Sequence, residues 1–453
     1  MVHLFHGGKS SIASFFSLER NVLVMSFTGL MLNFGYQSFQ TFVPLYLRTL
    51  EAGIVDIGIV FVAIQIATTL VSIPGGVLAD RVGRKAVIVS GNALGFGLYY
   101  ALFGVTNWTI ALGVLFAATI FATVVQPASS SLVAESVMTE ERSRAFGTFL
   151  FFVYLGLALG GIVGGFFDNW VDILIVATSG VAAASFRFLL LKETLQVKDR
   201  RKSNHKRFFG KLSRDISLLL VALLVFNFAS GLGQPFYAIF STDMLHLSKW
   251  ELGMMVGLAY LAGMFGAFLA GKVSARLGVA NMMAMAIIVA SFLLIPWLFS
   301  PNPLLAVLVF SVSGFFAQFF YVGNQALMAD LTYAKERGSV IGLVTTVAGF
   351  GSIIGPYAGS QLWVLVDPRS PFIVSSILSI AIAVPLLMIR KRPNKANCPH
   401  CGRRNPLEAK FCDRCGEQMV YQTCPDCGRR LERGAHYCDS CGTSQNEGAI
   451  ERQ

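Results

Sequence analysis

Apolar stretches long enough to cross a bilayer recur along the chain up to about residue 390. A transmembrane helix needs about 20 apolar residues, and the stretches are continuous rather than alternating, which favours helices over the strands of a membrane barrel. No small-residue cleavage site follows the first stretch, so it is interpreted as a helix and not as a signal peptide. Twelve stretches are distinguishable, and they begin near Asn21, Ile57, Ala86, Trp108, Ala145, Trp170, Ile216, Leu252, Met282, Leu304, Ser339 and Pro371. The pattern predicts an all-α polytopic membrane protein with twelve transmembrane helices.

Composition agrees with this prediction and excludes other classes of protein. Of the 453 residues, 54% are apolar and 13% are charged, and the mean hydropathy is +0.62. Soluble globular proteins carry about 25% charged residues, so this chain lacks the polar surface that a soluble globule of its size needs. A soluble enzyme, a coiled coil and a disordered protein are excluded. No stretch contains histidine and no nucleotide-binding loop occurs, so we expect no enzymatic activity.

The positions of the basic residues predict the orientation of the chain in the membrane. Loops after the even-numbered stretches are rich in lysine and arginine, and nine such residues lie between Lys192 and Arg214 alone. Loops after the odd-numbered stretches carry only Arg48, Lys249 and Arg369. Because basic loops stay on the cytoplasmic side, we expect a multi-pass protein of the cell membrane with both termini in the cytoplasm.

The membrane part is an internal repeat. When the sequence is compared with itself at a fixed shift, the same residues coincide in several separate segments, so one alignment relates the two halves. With a shift of 195 residues, Gly76, Arg81, Gly83, Gly156, Gly160 and Gly164 fall on Gly271, Arg276, Gly278, Gly351, Gly355 and Gly359. With a shift of 194, Asn33 and Gln40 fall on Asn227 and Gln234. The sequence therefore predicts two six-helix repeats in the same orientation, joined by a basic loop.

The loop after the second stretch reads Gly76-Val-Leu-Ala-Asp80-Arg81-Val-Gly83-Arg84-Lys85. It resembles the signature loop of the major facilitator superfamily, and the parallel six-plus-six repeat resembles the architecture of that superfamily. The resemblance covers about residues 15–392 and implies a secondary transporter with alternating access. It also implies a gate at the cytoplasmic ends of the helices, with charge-assisted hydrogen bonds between arginines and carboxylates. The predicted gating residues are Gly76, Asp80, Arg81, Gly83, Arg84, Lys85, Glu135 and Arg142.

Two interpretations of this loop remain open. Its charged residues form a gate, or its basic residues serve only to fix the topology of the chain in the membrane. The second copy of the loop has Ala275 where the first has Asp80, so the stronger gating interactions are expected in the first half.

Glycines at four-residue spacing occur in stretches 5 and 11. Small residues at this spacing let helices approach closely in a bilayer. The residues are Gly156, Gly160, Gly164, Gly351, Gly355, Pro356 and Gly359. Stretch 5 is similar to the antiporter glycine motif of the superfamily, except that Gly161 stands where that motif has proline. Helix packing without any role in antiport is the other interpretation. Stretch 4 also lacks the arginine of the superfamily's antiporters, which puts proton antiport in doubt.

Uncharged polar residues indicate an inward-facing cavity, since an amide that faced lipid would be costly. The cavity residues predicted are Asn33, Tyr36, Gln37, Gln40, Gln126, Asn227, Gln234, Tyr237, Gln318, Asn324 and Gln325. Hydrogen bonding between helices without any ligand is the alternative for each. Carboxylates and histidines are absent from the middle of the stretches. Arg187 is expected to snorkel to the cytoplasmic surface, and a contact with the substrate is the other interpretation. A neutral, amphipathic or lipophilic substrate is therefore favoured.

The eight cysteines form four Cys-x-x-Cys-Gly units in the C-terminal segment, with a period of 26 residues. The cysteines are Cys398, Cys401, Cys412, Cys415, Cys424, Cys427, Cys438 and Cys441. Pairs at this spacing suit tetrahedral zinc, and the segment resembles short tandem zinc ribbons, so two structural zinc ions are predicted. Disulfides are disfavoured in a reducing compartment, and iron is a minor alternative. The segment carries 8 basic and 8 acidic residues, so nucleic acid is not an expected partner.

These observations divide the chain into seven segments. They are a cytoplasmic N-terminal segment (1–20), a six-helix bundle (21–191), a basic linker (192–215), a second six-helix bundle (216–390), a short linker (391–397), the ribbons (398–442) and a flexible tail (443–453). The bilayer and a small-molecule substrate are the expected partners, and the protein is expected to be a monomer. The ribbons are expected either to bind a cytosolic protein or to be an inert domain.

The sequence favours an exporter of neutral, amphipathic or lipophilic small molecules. An importer or facilitator of a neutral polar solute is the near alternative. A transporter-like membrane sensor that signals through its zinc ribbons is the alternative from a different class.

Overall fold

The computed structural model describes most of the membrane part and pieces of the cysteine-rich segment. The described residues are 19–138, 141–194, 214–331, 337–389, 395–398, 400–401, 404–406, 411–412, 414–419, 421–423 and 430–432. Most of the predicted N-terminal segment and of the basic linker, the whole tail, and Cys424, Cys427, Cys438 and Cys441 lie outside these residues.

The first half of the membrane part is helical. Its helices are α1 (Arg20–Gln40), α2 (Val43–Thr49), α3 (Ile54–Val82), α4 (Arg84–Gly97), α5 (Trp108–Glu135), α6 (Arg142–Gly164) and α7 (Asn169–Leu190). A 3-10 helix, Leu98–Gly104, extends α4. Asn107 caps α5 by accepting a hydrogen bond from the backbone N–H of Thr109.

The second half repeats this order. Its helices are α8 (Arg214–Gly233), α9 (Tyr237–Asp243), α10 (Lys249–Leu277), α11 (Val279–Leu298), α12 (Pro303–Leu331), α13 (Arg337–Leu365), α14 (Ser370–Ala381) and α15 (Ala383–Met388). Ser248 and Glu251 form a capping box at the start of α10. The turns that precede α4 and α11 use Gly83 (φ +116°) and Gly278 (φ +86°), which are equivalent in the repeat and adopt backbone angles that favour glycine.

A helix begins within three residues of each of the twelve predicted starts. Ten helices among the described residues are long and apolar enough to span a membrane. The helices that begin at Arg20 and Arg337 are not among these ten, and in α1 the reason is the polar face that carries Asn33, Gln37 and Gln40. The first and seventh stretches are each divided into two helices. Pro44 lies in the first turn of α2, and Pro235 lies in a 3-10 helix (Gln234–Phe236) that joins α8 to α9.

The two halves meet through two equivalent helix pairs, α3 with α13 and α6 with α10. We call the end of the bundle that carries residues 76–85 the motif end, and the opposite end the far end. The largest core cluster combines residues of both halves and is concentrated near the far end, where Phe39, Phe42, Phe236 and Phe240 are fully buried. At the motif end, the buried clusters of the described residues belong to one half each.

Two short antiparallel hairpins lie in the cysteine-rich segment. Strand β1 (Lys395–Asn397) pairs with β2 (Arg404–Pro406), and β3 (Tyr421–Thr423) pairs with β4 (Arg430–Glu432). Corresponding strands begin 26 residues apart, which matches the period of the cysteine units.

Candidate functional site

A cavity of about 470 Å³ is lined by residues of both halves, and we call it the aromatic compartment. Its wall contains no charged residue among the described residues. Its tyrosine and phenylalanine side chains are Tyr36, Phe61, Phe226, Tyr237, Tyr260, Phe310, Phe320 and Tyr321. Glutamine and serine side chains supply hydrogen-bonding groups between the rings. A wall of this composition suits an aromatic or lipophilic ligand with few polar groups.

A second cavity of about 480 Å³ is lined almost entirely by the first half, and we call it the polar compartment. Tyr36, Gln40, Phe61 and Gln234 line both compartments, so the two are neighbours in one interior space. In the part of the chain that the structure describes, the polar compartment contains one charged residue, Arg187, and no carboxylate or histidine lines either compartment.

Most of the predicted cavity residues lie at these compartments, although their role in binding stays a prediction. The aromatic compartment contains Tyr36, Gln37, Gln40, Gln234, Tyr237 and Gln318. The polar compartment contains Asn33, Tyr36, Gln40, Gln126 and Gln234. Three predicted residues, Asn227, Asn324 and Gln325, line neither compartment.

The hydrogen bonds of these side chains do not separate the residues that line a compartment from those that do not. The side-chain amide of Asn227 donates to the carbonyl oxygen of Leu223 in its own helix (2.8 Å), and the equivalent Asn33 donates to Gly29 in the same way (2.8 Å). The amide of Gln318 instead donates across the two halves to the hydroxyl of Tyr154 (2.7 Å).

Several cavity residues escaped the sequence analysis. Tyr260 of α10, Asn92 of α4 and three serines of α14 (Ser375, Ser376 and Ser379) line the compartments. The three serines lie on neighbouring turns of an otherwise apolar helix, and that pattern was a usable signal. Tyr260 and Asn92 stand alone in apolar surroundings, so only the packing of the helices reveals them.

The expectation that Arg187 snorkels to the membrane surface is wrong. The side chain is only 3% exposed, its Nε donates to the hydroxyl of Thr28 (2.8 Å), and it lines the polar compartment. Helical side chains lean towards the N-terminus of their helix. Because α7 ends at the motif end, this direction takes the guanidinium into the bundle and away from the surface.

The predicted packing glycines lie at close helix crossings within each half. A Cβ on Gly156, Gly160 or Gly164 would overlap the backbone of α1, and one on Gly351, Gly355 or Gly359 would overlap the backbone of α8. Gly161 and Gly165 instead face α10 of the other half, and their equivalents Pro356 and Ser360 face Gly58 of α3. The glycine rows therefore make contacts both within and between the halves.

The gating residues form a network at the motif end. The guanidinium of Arg84, which is 8% exposed, donates to the carboxylates of Asp80 and Glu135 (3.1 Å for Glu135). Arg142 donates to the backbone carbonyl of Ala134 at the end of α5 (3.1 Å). All of these groups belong to the first half, so among the described residues the network joins α3, α4, α5 and α6 and not one half to the other.

Glu193, which follows α7, is a member of this network that sequence reasoning missed. Its carboxylate accepts hydrogen bonds from the backbone N–H groups of Arg84 and Lys85 (both 3.0 Å), the first residues of α4. A carboxylate at a helix N-terminus is favourable because the N–H groups there lack partners. Thr194 donates to Glu135 (2.7 Å). The start of the predicted linker is thus bound to the signature loop.

In the part of the chain that the structure describes, two ion pairs join the halves at the far end. Arg48 pairs with Asp243 (2.6 Å), and these two positions are related by the 195-residue shift of the repeat. Lys249 of α10 pairs with Asp172 of α7 (2.6 Å), whose carboxylate is fully buried. The Lys249 ammonium also donates to the carbonyl oxygen of Phe167. Opposite charges at equivalent positions were a signal for the first pair in the sequence.

Four cysteines of the first ribbon unit form a candidate metal centre. The sulfurs of Cys398, Cys401, Cys412 and Cys415 all lie within 4.8 Å of one another, with Cys401–Cys412 at 3.5 Å and Cys398–Cys415 at 3.6 Å. Tetrahedral zinc with Zn–S bonds of about 2.3 Å requires sulfurs about 3.8 Å apart, so the arrangement fits zinc. Gly416 (φ +72°) makes the turn that follows the last cysteine of the unit.

A repeated helical bundle around an interior cavity, with spanning helices and charged ends, defines a multi-pass membrane transporter. Comparison with known families matches residues 25–310 and 219–409 to the Major Facilitator Superfamily, and residues 398–442 to the double zinc ribbon. The chain therefore belongs to the Major Facilitator Superfamily and carries a C-terminal zinc-ribbon extension that binds zinc.

Named relatives share the length of the transporter part. Multidrug resistance protein 2 of Bacillus subtilis (strain 168) is 24% identical over 363 residues, which cover 77% of this chain and 89% of the relative. Quinolone resistance protein NorA of Staphylococcus aureus (strain COL) is 21% identical over 401 residues, covering 83% and 97%. The crystal structure of a mutant of the nucleoside transporter NupG is similar in fold, with a TM-score of 0.71, 15% identity and coverage of 82% and 100%.

Proposed function

We propose that the protein is a secondary active transporter that exports neutral, amphipathic or lipophilic small molecules by alternating access through twelve transmembrane helices. The observation that carries this proposal is the aromatic compartment, an uncharged cavity of about 470 Å³ with residues from both halves in its wall. Two relatives whose names refer to multidrug and quinolone resistance support the direction of transport.

The asymmetry between the two ends of the bundle supports alternating access. At the far end, the halves share one buried core and two ion pairs, whereas at the motif end the described core clusters are separate. The basic loops favour a cytoplasmic motif end, so this arrangement corresponds to a cavity closed towards the outside. In the opposite state, the far-end contacts would part and the motif ends would approach.

Flux measurements on the full chain in proteoliposomes test this function. A panel of neutral lipophilic dyes and neutral polar solutes is measured with and without a pH gradient. Accumulation of the lipophilic compounds against their gradient, and weak transport of the polar solutes, would support the proposal. Transport of polar solutes alone would favour the importer, and an absence of flux for every compound would contradict a transport function.

Substitution of Asp80 tests the gate. Asp80→Asn is expected to lower transport about tenfold, because it weakens a charge-assisted hydrogen bond to Arg84. Insertion into the membrane should stay unchanged, since the side chain is 64% exposed. The measurement is flux normalised to the amount of folded protein, with Arg20→Gln, at an exposed position outside the predicted gate, as the control. Equal flux in the Asp80→Asn variant and the wild type would contradict the gating role.

We also propose that the ribbons hold two structural zinc ions, one for each set of four cysteines. Metal analysis of the purified full chain should give about two zinc ions per protein, and Cys398→Ser with Cys401→Ser should leave about one, because a thiolate pair is needed for tetrahedral binding. Retention of two ions in the double variant would contradict the assignment.

Deletion of residues 398–453, followed by measurement of transport and of co-purifying proteins, tests a docking role for the ribbons.

A further inference from the structure

Arg187 is a buried cation that no described carboxylate neutralises. It lies in the last turn of α7, is 3% exposed, and its one described hydrogen bond goes to the neutral hydroxyl of Thr28. Arginine keeps its proton in proteins, so the guanidinium remains charged at this position. A buried and unpaired charge is costly. The polar compartment that it lines offers no Asp or Glu among the described residues.

A second group in the same compartment also lacks a partner. The side-chain nitrogen of Asn92 is buried and has no hydrogen-bond partner among the described residues, although the residue is only 3% exposed and lines the polar compartment. Buried polar groups are nearly always paired, so an orphaned donor beside a cavity indicates a ligand that accepts hydrogen bonds. Arg187 and Asn92 both supply donors, and what the compartment lacks is an acceptor with negative charge.

We propose that the polar compartment binds the carboxylate of an amphipathic substrate, with Arg187 as its charge partner and Asn92 as a second donor. A carboxylate matches the planar guanidinium with two parallel hydrogen bonds. The shared wall residues Tyr36 and Phe61 lead from this compartment into the aromatic one. A ligand with a carboxylate at one end and an aromatic body at the other can therefore occupy both spaces.

This inference rests on the proposed function and extends its substrate class from neutral compounds to organic acids with an apolar body. The two compartments, of about 470 and 480 Å³, have room for a ligand of this kind. The charge of Arg187 also makes a lipophilic cation the least favourable occupant of the polar compartment.

Equilibrium binding to the purified full chain in neutral detergent tests the proposal without any transport step. The probes are 2-naphthoate and 2-naphthamide, which share size and shape and differ in charge. The wild type is expected to bind the naphthoate about tenfold more tightly than the amide, because a hydrogen bond to a charged group is stronger than a neutral one. Arg187→Gln should abolish this preference, and Arg187→Lys should keep part of it.

Arg20→Gln, which removes an exposed arginine outside both compartments and outside the predicted gate, is the matched control and should bind like the wild type. Equal affinity of the wild type for both probes, or an unchanged preference in Arg187→Gln, would overturn the proposal. Chloride and phosphate are titrated as competitors, and displacement of naphthoate by either at equal affinity would identify an inorganic anion site and overturn the carboxylate assignment. Flux of neutral compounds without selective naphthoate binding would overturn this inference and leave the proposed function intact.

Discussion

Lys249→Met is expected to lower the free energy of unfolding by about 3–5 kcal/mol, the usual cost of removing one partner from a buried ion pair. Its partner Asp172 is fully buried, and one oxygen of that carboxylate already has no hydrogen-bond partner among the described residues. Without the Lys249 ammonium, a negative charge would remain in the contact between the halves. The measurement is the midpoint of thermal unfolding in detergent, which should fall by many degrees.

Two further variants separate the effect of burying an ion pair from the effect of removing a charge on the free energy of unfolding. Arg48→Gln breaks the other ion pair at the same end, but its partners are 43% and 34% exposed, so the loss should be about 0–1 kcal/mol. Asp172→Asn combined with Lys249→Met removes both charges and should recover much of the stability lost in the single variant. A double variant as unstable as Lys249→Met alone would show that the ammonium acts through contacts other than Asp172.

Gly160→Ala is expected to destabilise the protein by about 1–3 kcal/mol, the range for forced overpacking. A Cβ at this position would overlap the carbonyl group of Phe34, and backbone on both sides cannot move aside as a flexible side chain can. The helices α1 and α6 would have to separate, which also disturbs the wall of the polar compartment. Thermal unfolding and the yield of monodisperse protein measure the effect.

Gly147→Ala in the same helix is the matched control. Apart from Gly147, its chain neighbours and the adjacent backbone of its own helix, no atom of the described residues lies within 4 Å of a Cβ built on Gly147. Alanine is better than glycine inside a helix by about 0.5–1 kcal/mol. The two identical substitutions in α6 should therefore change stability in opposite directions. Loss of stability in both variants would assign the effect to the helix itself and not to its crossing with α1.

The sequence predicted the helices well because the bilayer imposes a strong rule on length and polarity. Every predicted start agrees with a helix start to within three residues. The division of the first stretch between Gln40 and Val43 was not predicted. Proline at the start of α2 was visible, but a proline inside an apolar stretch is equally compatible with a kinked continuous helix.

The residues that line the two compartments were harder to predict than the helices, because a polar side chain does not reveal from the sequence which neighbour it hydrogen-bonds or whether it faces a cavity. Asn33 and Asn227 are equivalent in the repeat and make the same hydrogen bond within their helices, yet only Asn33 lines a compartment. The short distance from Arg187 to the end of α7 predicts a surface position, but the side chain leans towards the N-terminus of the helix and is buried beside the polar compartment. Tyr260 and Asn92 carried no signal at all.

What the sequence determined by itself is what depends on local pattern and on periodicity: the helices, the internal repeat of the membrane part, and the cysteine units 26 residues apart. The tertiary structure decided which equivalent residues differ in environment and which charges meet. Asp172 and Lys249 lie 77 residues apart and belong to different halves. Their pairing, and the isolation of Arg187, follow from how helices of two halves pack, and such packing depends on side-chain contacts that no single segment of the chain contains.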